Sequence, residues 1–471
     1  MSSVPPPENA PSTRSGDGPR EVDLVVLGEV VTMDADRRII ADGAVAVDGE
    51  VIVAVGPASE LLATHRPQRV IGHRDHLVTP GYLNGHQHLT GDRLIQSVIP
   101  DDLAPGEAIF SWVVPVHGEH LPDDDELTAT LTLAESLRHG ITSTFEAGTV
   151  AHPERVAAAA EAVGARVTVG RWGWDVEQGP FAAPVDEVLA RQRELVTSLR
   201  GPRVDSWVTL VGHDLMSDEL AVGASQLARD LGVGLTFHLS PTTSDPDSYL
   251  ARTGRRPVQH LDDLGVFGDH VVLGHAVHVD DAELDILVER RTAVVSCPWA
   301  YLRLGQGISR EMRHLDLWRR GGRLALGCDA ENAGDLVDAL RAAALFAGLA
   351  KDVPVDPTIF GAHDAFELIT IAGAEALGVA DRVGSIEVGK QADLVVHDRH
   401  ALPFVPASAD PVLQLVWGAD GRTVRWVTVA GAVAVDDGRV TTIDLRALAG
   451  EAAQRSRAIM TRAGVTPQPR W

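Results

Sequence analysis

Short apolar stretches alternate with stretches of helical periodicity through the middle of the chain. The apolar stretches are rich in β-branched residues and about five residues long, which is typical of buried parallel strands. The segments between them repeat apolar residues at helical spacing, and Ser217 and Asp280 begin two of them with helix-capping side chains. The candidate strands are His76–Asn84, Ile141–Glu146, Arg166–Gly170, Ser206–Leu210, Gly234–His238, His270–Gly274, Thr292–Ser296 and Arg323–Gly327.

Strands that alternate with helices in this way predict an α/β protein with a parallel sheet. Eight such units predict a closed (β/α)8 TIM barrel, which would span residues 76–390. An open, doubly wound sheet is the alternative. It is disfavoured because no glycine-rich dinucleotide fingerprint follows the first candidate strand.

The two ends of this region have a different pattern. Residues 21–75 and 391–450 contain short valine-rich stretches that are separated by hairpin signals such as Asp48-Gly49. We predict that both termini together form a small β-sandwich domain. Residues 1–20 are predicted to be a disordered tail, and residues 451–471 a helix or tail.

The charge balance narrows the range of partners. The chain has 66 acidic and 41 basic residues, a formal net charge of −25, which excludes nucleic-acid binding through a general basic face. Hydrophobic residues make up 45%, enough for a large core, and no apolar run has the length of a membrane span. From the charge and the short apolar runs we expect neither nucleic-acid nor membrane partners. The two cysteines form no disulfide framework, so we expect a cytoplasmic protein.

Side chains that can bind a metal recur where the candidate strands end. His86 and His88 follow the first strand, and alternation along an extended segment turns both imidazoles to one side. His238 ends the fifth strand, His275 follows the sixth and Asp329 follows the eighth. The carboxyl ends of the strands form one mouth of a TIM barrel, where active sites lie. The sequence therefore predicts a metal centre at that mouth.

The residues around these positions resemble the amidohydrolase superfamily. Pro80–His88 resembles its metal-binding signature, and Gly384–Val395 resembles its closing motif. Leu273–Ala276 and Ser296–Pro298 are similar to the branch of hydrolytic deaminases and triazine chlorohydrolases. The resemblance implies an enzyme in which metal-activated hydroxide attacks an electrophilic carbon of a nitrogen heterocycle and releases ammonia or a similar leaving group.

The resemblance also implies a role for each residue. His86, His88, His238 and Asp329 would bind a divalent metal, with Zn²⁺ as the first choice and Fe²⁺ as the alternative. Such an ion lowers the pKa of bound water to about 7. Asp329 would also carry the proton from the nucleophile to the leaving group. His275 would orient the nucleophile or approach the metal itself.

The scarcity of lysine bears on the number of metals. Lys351 and Lys390 are the only lysines in the chain. Dinuclear members of the superfamily bridge their metals through a carboxylated lysine on the fourth strand, and the fourth candidate strand has none. Glu146, after the second strand, leaves a bridging carboxylate as an alternative. We predict one metal per subunit.

One position departs from the deaminase pattern. In most deaminases of this branch a glutamate follows the fifth-strand histidine by three residues and protonates the heterocycle, whereas this chain has Pro241 there. The proton could come from Glu146 or Asp245, or an activated substrate could need none. Otherwise the enzyme hydrolyses a cyclic amide or another C–N bond that is not an amidine. A non-catalytic scaffold is the minor alternative, because relatives of that kind usually lose ligands.

Several residues near the mouth are candidates for contact with the substrate. Aromatic side chains can hold a flat ring, and an arginine can bind a carbonyl or carboxylate group. The expected partner is a small nitrogen heterocycle, and a homo-oligomer is plausible for this superfamily. The candidates are His213, Trp112, Trp172, Trp174, Trp299, Arg303, Glu146 and His278.

Overall fold

The computed structural model describes residues 18–176 and 179–467. Most of the predicted N-terminal tail and the last four residues lie outside the described residues. The strands are β1 (Arg20–Val31), β2 (Ile39–Asp48), β3 (Val51–Pro57), β4 (His65–Pro80), β5 (Tyr82–Gln87), β6 (Ile141–Glu146), β7 (Arg166–Val169), β8 (Val204–Ser206), β9 (Val208–Gly212), β10 (Leu235–Leu239), β11 (Val271–His275), β12 (Ala293–Ser296), β13 (Arg323–Leu326), β14 (Leu394–Asp398), β15 (Val424–Val429), β16 (Ala432–Asp436) and β17 (Arg439–Val440).

Helices follow most of the strands. They are α1 (Ala58–Thr64), α2 (Pro105–Ala108), α3 (Val114–Gly118), α4 (Pro122–Arg138), α5 (Pro153–Val163), α6 (Val185–Ser198), α7 (Asp218–Leu231), α8 (Ser244–Thr253), α9 (Pro257–Asp263), α10 (Asp281–Glu289), α11 (Pro298–Arg303), α12 (Arg313–Arg319), α13 (Ala339–Asp352), α14 (Ala362–Leu368), α15 (Ile371–Ala376), α16 (Pro411–Gly418) and α17 (Leu445–Ala463). Short 3-10 turns cover Asp92–Ile95, Leu402–Phe404 and Gly421–Thr423, and a π-helical turn covers Ile109–Val113.

The central strands form a closed parallel barrel. They are ordered β5-β6-β7-β8 in one sheet and β9-β10-β11-β12-β13 in another. At the first seam β8 and β9 continue one another past Trp207, whose N–H donates to a β7 carbonyl at 3.3 Å. At the second seam Gln87 forms a parallel bridge with Asp329, and the Asp329 N–H donates to the carbonyl of His86 at 2.9 Å. The predicted (β/α)8 barrel is confirmed.

Capping side chains begin two of the barrel helices, as the sequence predicts. The Ser217 hydroxyl accepts a hydrogen bond from the Leu220 N–H at 3.1 Å and begins α7. Asp280 and Glu283 form a reciprocal capping box at the start of α10. Each cap satisfies backbone donors that the first helical turn leaves unpaired, and so fixes where these helices start on the barrel.

The terminal segments form one sheet that curls over a core of its own. Its order is β17-β16-β15-β14-β4-β1-β2-β3, so both ends of the chain contribute strands. Val51 at the start of β3 bridges Gln391, just before β14, and the Ile52 N–H donates to the Lys390 carbonyl at 2.9 Å. This contact brings the two halves of the sheet together as the predicted small β-sandwich. The enclosed core is Leu24, Val26, Val30, Val45, Val47, Ile52, Ile71, Val78, Ile386, Ala392, Leu394 and Val396.

The first predicted barrel strand is divided between the two sheets, which corrects the sequence prediction. Residues 76–80 belong to β4 and pair with β14 in the terminal sheet. The barrel strand begins only at Tyr82. Gly81 lies at the junction, where a Cβ atom would come within 2.1 Å of the Thr142 hydroxyl oxygen, so glycine is required. The sequence does not reveal this division, because the strand is buried in both sheets and its apolar pattern continues across Gly81.

The C-terminal helix α17 forms hydrogen bonds that hold the segment after β5 in place. The buried carboxylate of Asp124 accepts hydrogen bonds from Arg455 and Arg462 of α17, each at 3.0 Å. The Ser456 hydroxyl donates to the carbonyl of Leu94 at 2.6 Å. The helix therefore supports one side of the barrel mouth. Among the described residues, no helix is long and apolar enough to cross a membrane.

A buried chain of hydrogen bonds joins the terminal sheet to the barrel. The Thr423 hydroxyl donates to the Asp420 carbonyl at 2.8 Å and therefore accepts from His397 Nδ1, also at 2.8 Å. His397 Nε2 then accepts from the Tyr82 hydroxyl at 2.7 Å. This arrangement requires a neutral imidazole, and burial lowers the pKa of His397 to about 3.

We expect His397 to make the fold sensitive to acid. Its pKa is about 6.5 in an unfolded chain and about 3 in the folded protein. As the pH falls below 6.5, the unfolded state therefore binds the proton first, and stability is lost. Linkage gives a loss of about 2 kcal/mol between pH 8 and pH 5. Urea unfolding at both pH values should show a loss in the wild type that exceeds the loss in His397→Gln by about 2 kcal/mol. Equal losses in the two proteins would contradict the assignment.

Candidate metal centre

The side chains that the sequence predicts as ligands meet at the mouth of the barrel. Nitrogen atoms of His86, His88 and His238 lie within 4.8 Å of one another. Ligand atoms of His86, His275 and Asp329 form a second group of the same span, so the two groups share His86. The residues come from β5, β10 and β11 and from the segments that follow β5 and β13. All are buried except His88, which is partly exposed.

Hydrogen bonds determine which nitrogen of two imidazoles carries the proton. His238 Nδ1 lies 2.7 Å from the Val211 carbonyl, which can only accept, so Nδ1 is the donor. His88 Nδ1 lies 2.8 Å from the Thr149 hydroxyl, whose single proton is donated to Glu146 at 3.1 Å, so His88 also donates through Nδ1. Both Nε2 atoms therefore face into the site, 3.3 Å from each other.

Acceptor atoms crowd together at the centre of this group. Asp329 Oδ1 lies 3.2 Å from His88 Nε2 and 3.9 Å from His86 Nε2. His86 Nε2 is buried and has no hydrogen-bond partner. Several imidazole nitrogens and a carboxylate at these distances need a cation among them, either a proton on His88 or a metal ion. Imidazole nitrogens and a carboxylate oxygen are the donor set that Zn²⁺ prefers, so these residues fit a divalent metal.

The pKa shifts at the centre favour cation binding. Burial and the neighbouring imidazoles lower the pKa of His86 and His238 far below the usual range, and burial lowers that of His275 to about 4. Burial acts against ionisation of Asp329, but the bond to His88 and the surrounding histidines outweigh it and hold its pKa well below the usual range.

His88 is the one ligand candidate with a raised pKa. Burial lowers it, but the hydrogen bond and the charge of Asp329 outweigh burial and raise the pKa of His88 to about 9. A proton on this imidazole competes with a metal for the same Nε2 lone pair.

Strained backbone surrounds the centre. His213, Ser240, His275, Ala276 and Asp329 all have positive φ angles, between 52° and 80°, although none is glycine. Such residues are uncommon and cluster at functional sites, where the surrounding structure holds them in place. These five lie at or just after the carboxyl ends of β9, β10, β11 and β13. The strain turns the chain sharply there, and no sequence signal predicts it because the residue types are ordinary.

Two glycines make room for His86 inside the barrel. A Cβ atom on Gly274 of β11 would come within 2.7 Å of the His86 ring. A Cβ atom on Gly327, just after β13, would come within 2.8 Å of the Cβ of His86. Neighbouring strands can therefore approach the histidine closely only because both positions are glycine.

His213 lies beside the metal group and is paired with a carboxylate. Its ring stacks on that of His238 with 5.5 Å between centroids. Its Nδ1 lies 3.0 Å from Asp245, whose carboxylate also accepts the Ser240 N–H at 2.7 Å. Burial lowers the pKa of His213, but the charge of Asp245 outweighs it and raises the pKa. The structure thus places a paired imidazole near the position where Pro241 supplies no acid.

Glu146 is fully buried behind the centre, outside both groups of ligand atoms. Its carboxylate accepts hydrogen bonds from the Gly148 N–H, the Thr149 N–H and the Thr149 hydroxyl. Burial raises the pKa of Glu146, and these donors partly offset the rise. Its contact with the centre runs through Thr149 and His88.

The candidate tryptophans occupy different environments. Trp172 and Trp174 are buried in one aromatic cluster, in which Trp172 stacks on Phe181 at 4.5 Å with an interplanar angle of 4°. Trp112 lies in the π-helical turn and packs against the apolar cluster that includes α17. Trp299 lies in the first turn of α11 and is half-buried. The flat ring that stacks on Trp172 in this structure is therefore a side chain of the protein itself, Phe181.

Arg303 and His278 connect loops at the mouth. Arg303 donates to the Asn332 carbonyl and lies 3.5 Å from the Asp335 carboxylate. His278 Nε2 lies 2.7 Å from the Gln306 carbonyl. Both side chains therefore hold neighbouring segments in place in this structure.

Sequence reasoning missed a second group of histidines after β5. His117 Nε2 lies 3.4 Å from Asp92, and His120 Nδ1 lies 2.7 Å from Asp125, with all four side chains nearly inaccessible to solvent. The two imidazoles stack with 5.7 Å between centroids, and His117 contacts the edge of Trp172. The spacing of His117 and His120, about one helical turn, is the signal that could have revealed them.

A TIM barrel with a buried group of histidines and an aspartate at its mouth is typical of metal-dependent hydrolases. The family model described as "Amidohydrolase family" matches residues 77–434. A model of the bacterial imidazolonepropionase-like composite domain matches residues 43–66, within the terminal sheet. Because the first match covers most of the chain, the protein belongs to the amidohydrolase family.

Individual relatives agree with this assignment. The chain is 31% identical to a 5-methylthioadenosine/S-adenosylhomocysteine deaminase of Syntrophobacter fumaroxidans, over 90% of this chain and 94% of the relative. The corresponding deaminase of Natronomonas pharaonis is 32% identical over 93% and 97%. These matches confirm the deaminase-like resemblance that the motifs predict.

Solved structures show the same fold. An adenosine deaminase from Xanthomonas campestris with bound zinc is 30% identical, with a TM-score of 0.89 over 94% of this chain and 100% of that chain. The atrazine chlorohydrolase of Arthrobacter aurescens TC1 is 24% identical, with a TM-score of 0.82 over 92% and 100%, and supports the fold alone.

Proposed function

We propose that the protein is a hydrolytic deaminase that holds one Zn²⁺ ion and releases ammonia from an amino-substituted nitrogen heterocycle of the purine type. The observation that carries the proposal is the group of inward-facing acceptor atoms from His86, His88, His238 and Asp329 at the barrel mouth. The named deaminase relatives and the zinc-containing adenosine deaminase support this choice of reaction and metal.

The proposed mechanism assigns proton transfer to Asp329. When bound, the metal supplies Lewis acidity and lowers the pKa of water, so that a nucleophile forms at neutral pH. Although burial acts against ionisation, the surrounding histidines hold the pKa of Asp329 below the usual range, so its carboxylate is ionised. Its place among the ligand candidates puts it where it can take the proton of the attacking water. The same carboxyl group then returns the proton to the departing amine.

His275 holds the nucleophile in position. Its Nδ1 lies 3.3 Å from the Tyr301 hydroxyl, which leaves Nε2 free for the reacting atoms. Burial lowers the pKa of His275 to about 4, so the imidazole is neutral at pH 7 and can accept a hydrogen bond.

His213 is the group that we assign to contact with the heterocycle. Most deaminases of this branch use a glutamate, but Pro241 occupies its position in this chain. His213 stacks beside His238, and its bond to Asp245 leaves Nε2 available to a ring nitrogen of the substrate. Asp245, a candidate acid on sequence grounds, thereby acts through the histidine.

A second candidate function remains because Pro241 has no proton to give. Hydrolysis of a cyclic amide or another C–N bond that is not an amidine needs no acid at a ring nitrogen. Such a reaction uses the same barrel site and differs in its product, which is a ring-opened carboxylate.

Product analysis separates the two functions. Purified protein is incubated with adenosine, 5′-methylthioadenosine, S-adenosylhomocysteine, amino- and chlorotriazines and a series of cyclic amides, while ammonia, halide and acid are all measured. We expect ammonia in equal amount to the amino-heterocycle consumed, with the ring intact. Acid release from a cyclic amide, without ammonia release from any amino-heterocycle, would contradict the proposal. Asp329→Asn protein is the matched control for a contaminating enzyme.

A further inference from the structure

We propose that Glu146 and Thr149 are positioning residues that hold His88 in the tautomer able to bind metal, and so set the metal affinity of the centre. The inference rests on the metal site of the proposed function and assigns a role to a buried carboxylate that the mechanism does not use.

The three side chains form a continuous hydrogen-bonded relay. β6 ends at Glu146, and the following turn brings Thr149 between this carboxylate and the imidazole of His88. His88 Nδ1 lies 2.8 Å from the Thr149 hydroxyl, which donates to Glu146 Oε1 at 3.1 Å. The opposite ring nitrogen, Nε2, is the atom that lies 3.2 Å from Asp329. The relay therefore ends at the nitrogen that faces away from the metal group.

The number of available protons determines which atom donates in each hydrogen bond of the relay. Glu146 Oε1 also accepts the Thr149 N–H at 3.0 Å, and Oε2 accepts the Gly148 N–H at 2.7 Å. The carboxylate is thus surrounded by donors, and it takes the only hydroxyl proton of Thr149. The hydroxyl oxygen must then accept from His88, which places the imidazole proton on Nδ1 and leaves the Nε2 lone pair for a metal.

If Glu146 had only a structural role, hydrogen bonds from backbone N–H groups would be sufficient. The Gly148 and Thr149 N–H groups alone would account for a carboxylate that closes the turn after β6. The bond from the Thr149 hydroxyl is different, because it links that carboxylate to a candidate ligand. Thr149→Val removes only this link, since valine has the same shape and keeps the backbone N–H that Glu146 accepts.

Loss of the link should weaken metal binding. Without an acceptor for Nδ1–H, His88 can carry its proton on Nε2 beside Asp329, where it opposes the metal. Substitution of residues that orient metal-binding histidines typically lowers metal affinity about 10- to 100-fold. Thr149→Ser restores the hydroxyl and is the matched control.

Zinc affinity tests the relay directly. Competition with a chromogenic chelator gives the Zn²⁺ dissociation constant of the wild type, Thr149→Val, Thr149→Ser and Glu146→Gln, and thermal unfolding of the zinc-free proteins monitors the fold. We expect about 10- to 100-fold weaker binding by Thr149→Val and Glu146→Gln, with binding by Thr149→Ser close to the wild type. The zinc-free Thr149→Val protein should still unfold in one cooperative transition, at a lower temperature than the wild type because two buried hydrogen bonds are lost.

The outcomes separate failure of the relay from failure of the metal site. Wild-type affinity in Thr149→Val, or equal weakening in Thr149→Val and Thr149→Ser, would overturn the relay while the site stands. If Thr149→Val does not fold, Thr149→Ala decides, because alanine also lacks the hydroxyl and keeps the backbone N–H that Glu146 accepts. Absence of zinc binding by the wild type would overturn the metal site itself and the relay with it.

Discussion

Asp329→Asn should lower kcat/KM for ammonia release by about 10³-fold or more. The substitution removes a charged ligand candidate and the proposed proton carrier while it preserves the shape of the side chain. The fold should survive, because asparagine tolerates the left-handed backbone at this position, where φ is 66°. An asparagine oxygen can also accept the Ala330 N–H, as Asp329 does at 2.8 Å.

Steady-state kinetics and metal analysis of the same preparation test this prediction. Circular dichroism and thermal unfolding should show a folded barrel, so that lost activity reflects lost chemistry. Unchanged turnover by folded Asp329→Asn would contradict the assignment of the carboxylate and favour a role for the barrel that is not catalytic.

Asp393→Ala should lower the free energy of unfolding by about 3–5 kcal/mol. Asp393 forms a two-pronged ion pair with Arg166 at 3.1 and 3.2 Å, and the side chains are only 2% and 7% exposed. The carboxylate also accepts the Ala430 N–H at 2.7 Å. The pair joins the start of β7 to the terminal sheet, and removal of the carboxylate leaves a buried guanidinium without its charge partner.

An exposed pair provides the comparison for this measurement. Asp285 binds Arg320 on the surface, where its side chain is 73% exposed, and such pairs contribute about 0–1 kcal/mol. Urea unfolding of Asp393→Ala and Asp285→Ala should therefore differ by several kcal/mol, about 3. Similar losses in the two variants would mean that the buried pair does not stabilise the junction of barrel and sheet.

The sequence predicts the barrel and the location of its site because both follow from local pattern and strand direction. Strands that alternate with helices define a parallel barrel, and residues at the strand ends, such as His238 and His275, must then share one mouth. No pairwise contact needs to be known for that inference. The same logic explains why the histidines around His86 lie together.

The missed features depend on contacts between distant residues. His213 and Asp245 are 32 residues apart, and only the fold shows that they are paired. Phe181 fills the face of Trp172 that a substrate ring could have occupied. The division at Gly81 depends on the position of Thr142 in another strand. Periodicity describes each segment alone and contains no information on these approaches.

Metal content measured together with activity tests the central claim most directly. Zinc-free protein, prepared with a chelator, is titrated with Zn²⁺ while ammonia release is followed and bound metal is determined by mass spectrometry. Activity should be absent at the start and should rise in proportion to bound Zn²⁺ until about one ion per chain is present. Full activity at less than about half a metal ion per chain would contradict the account.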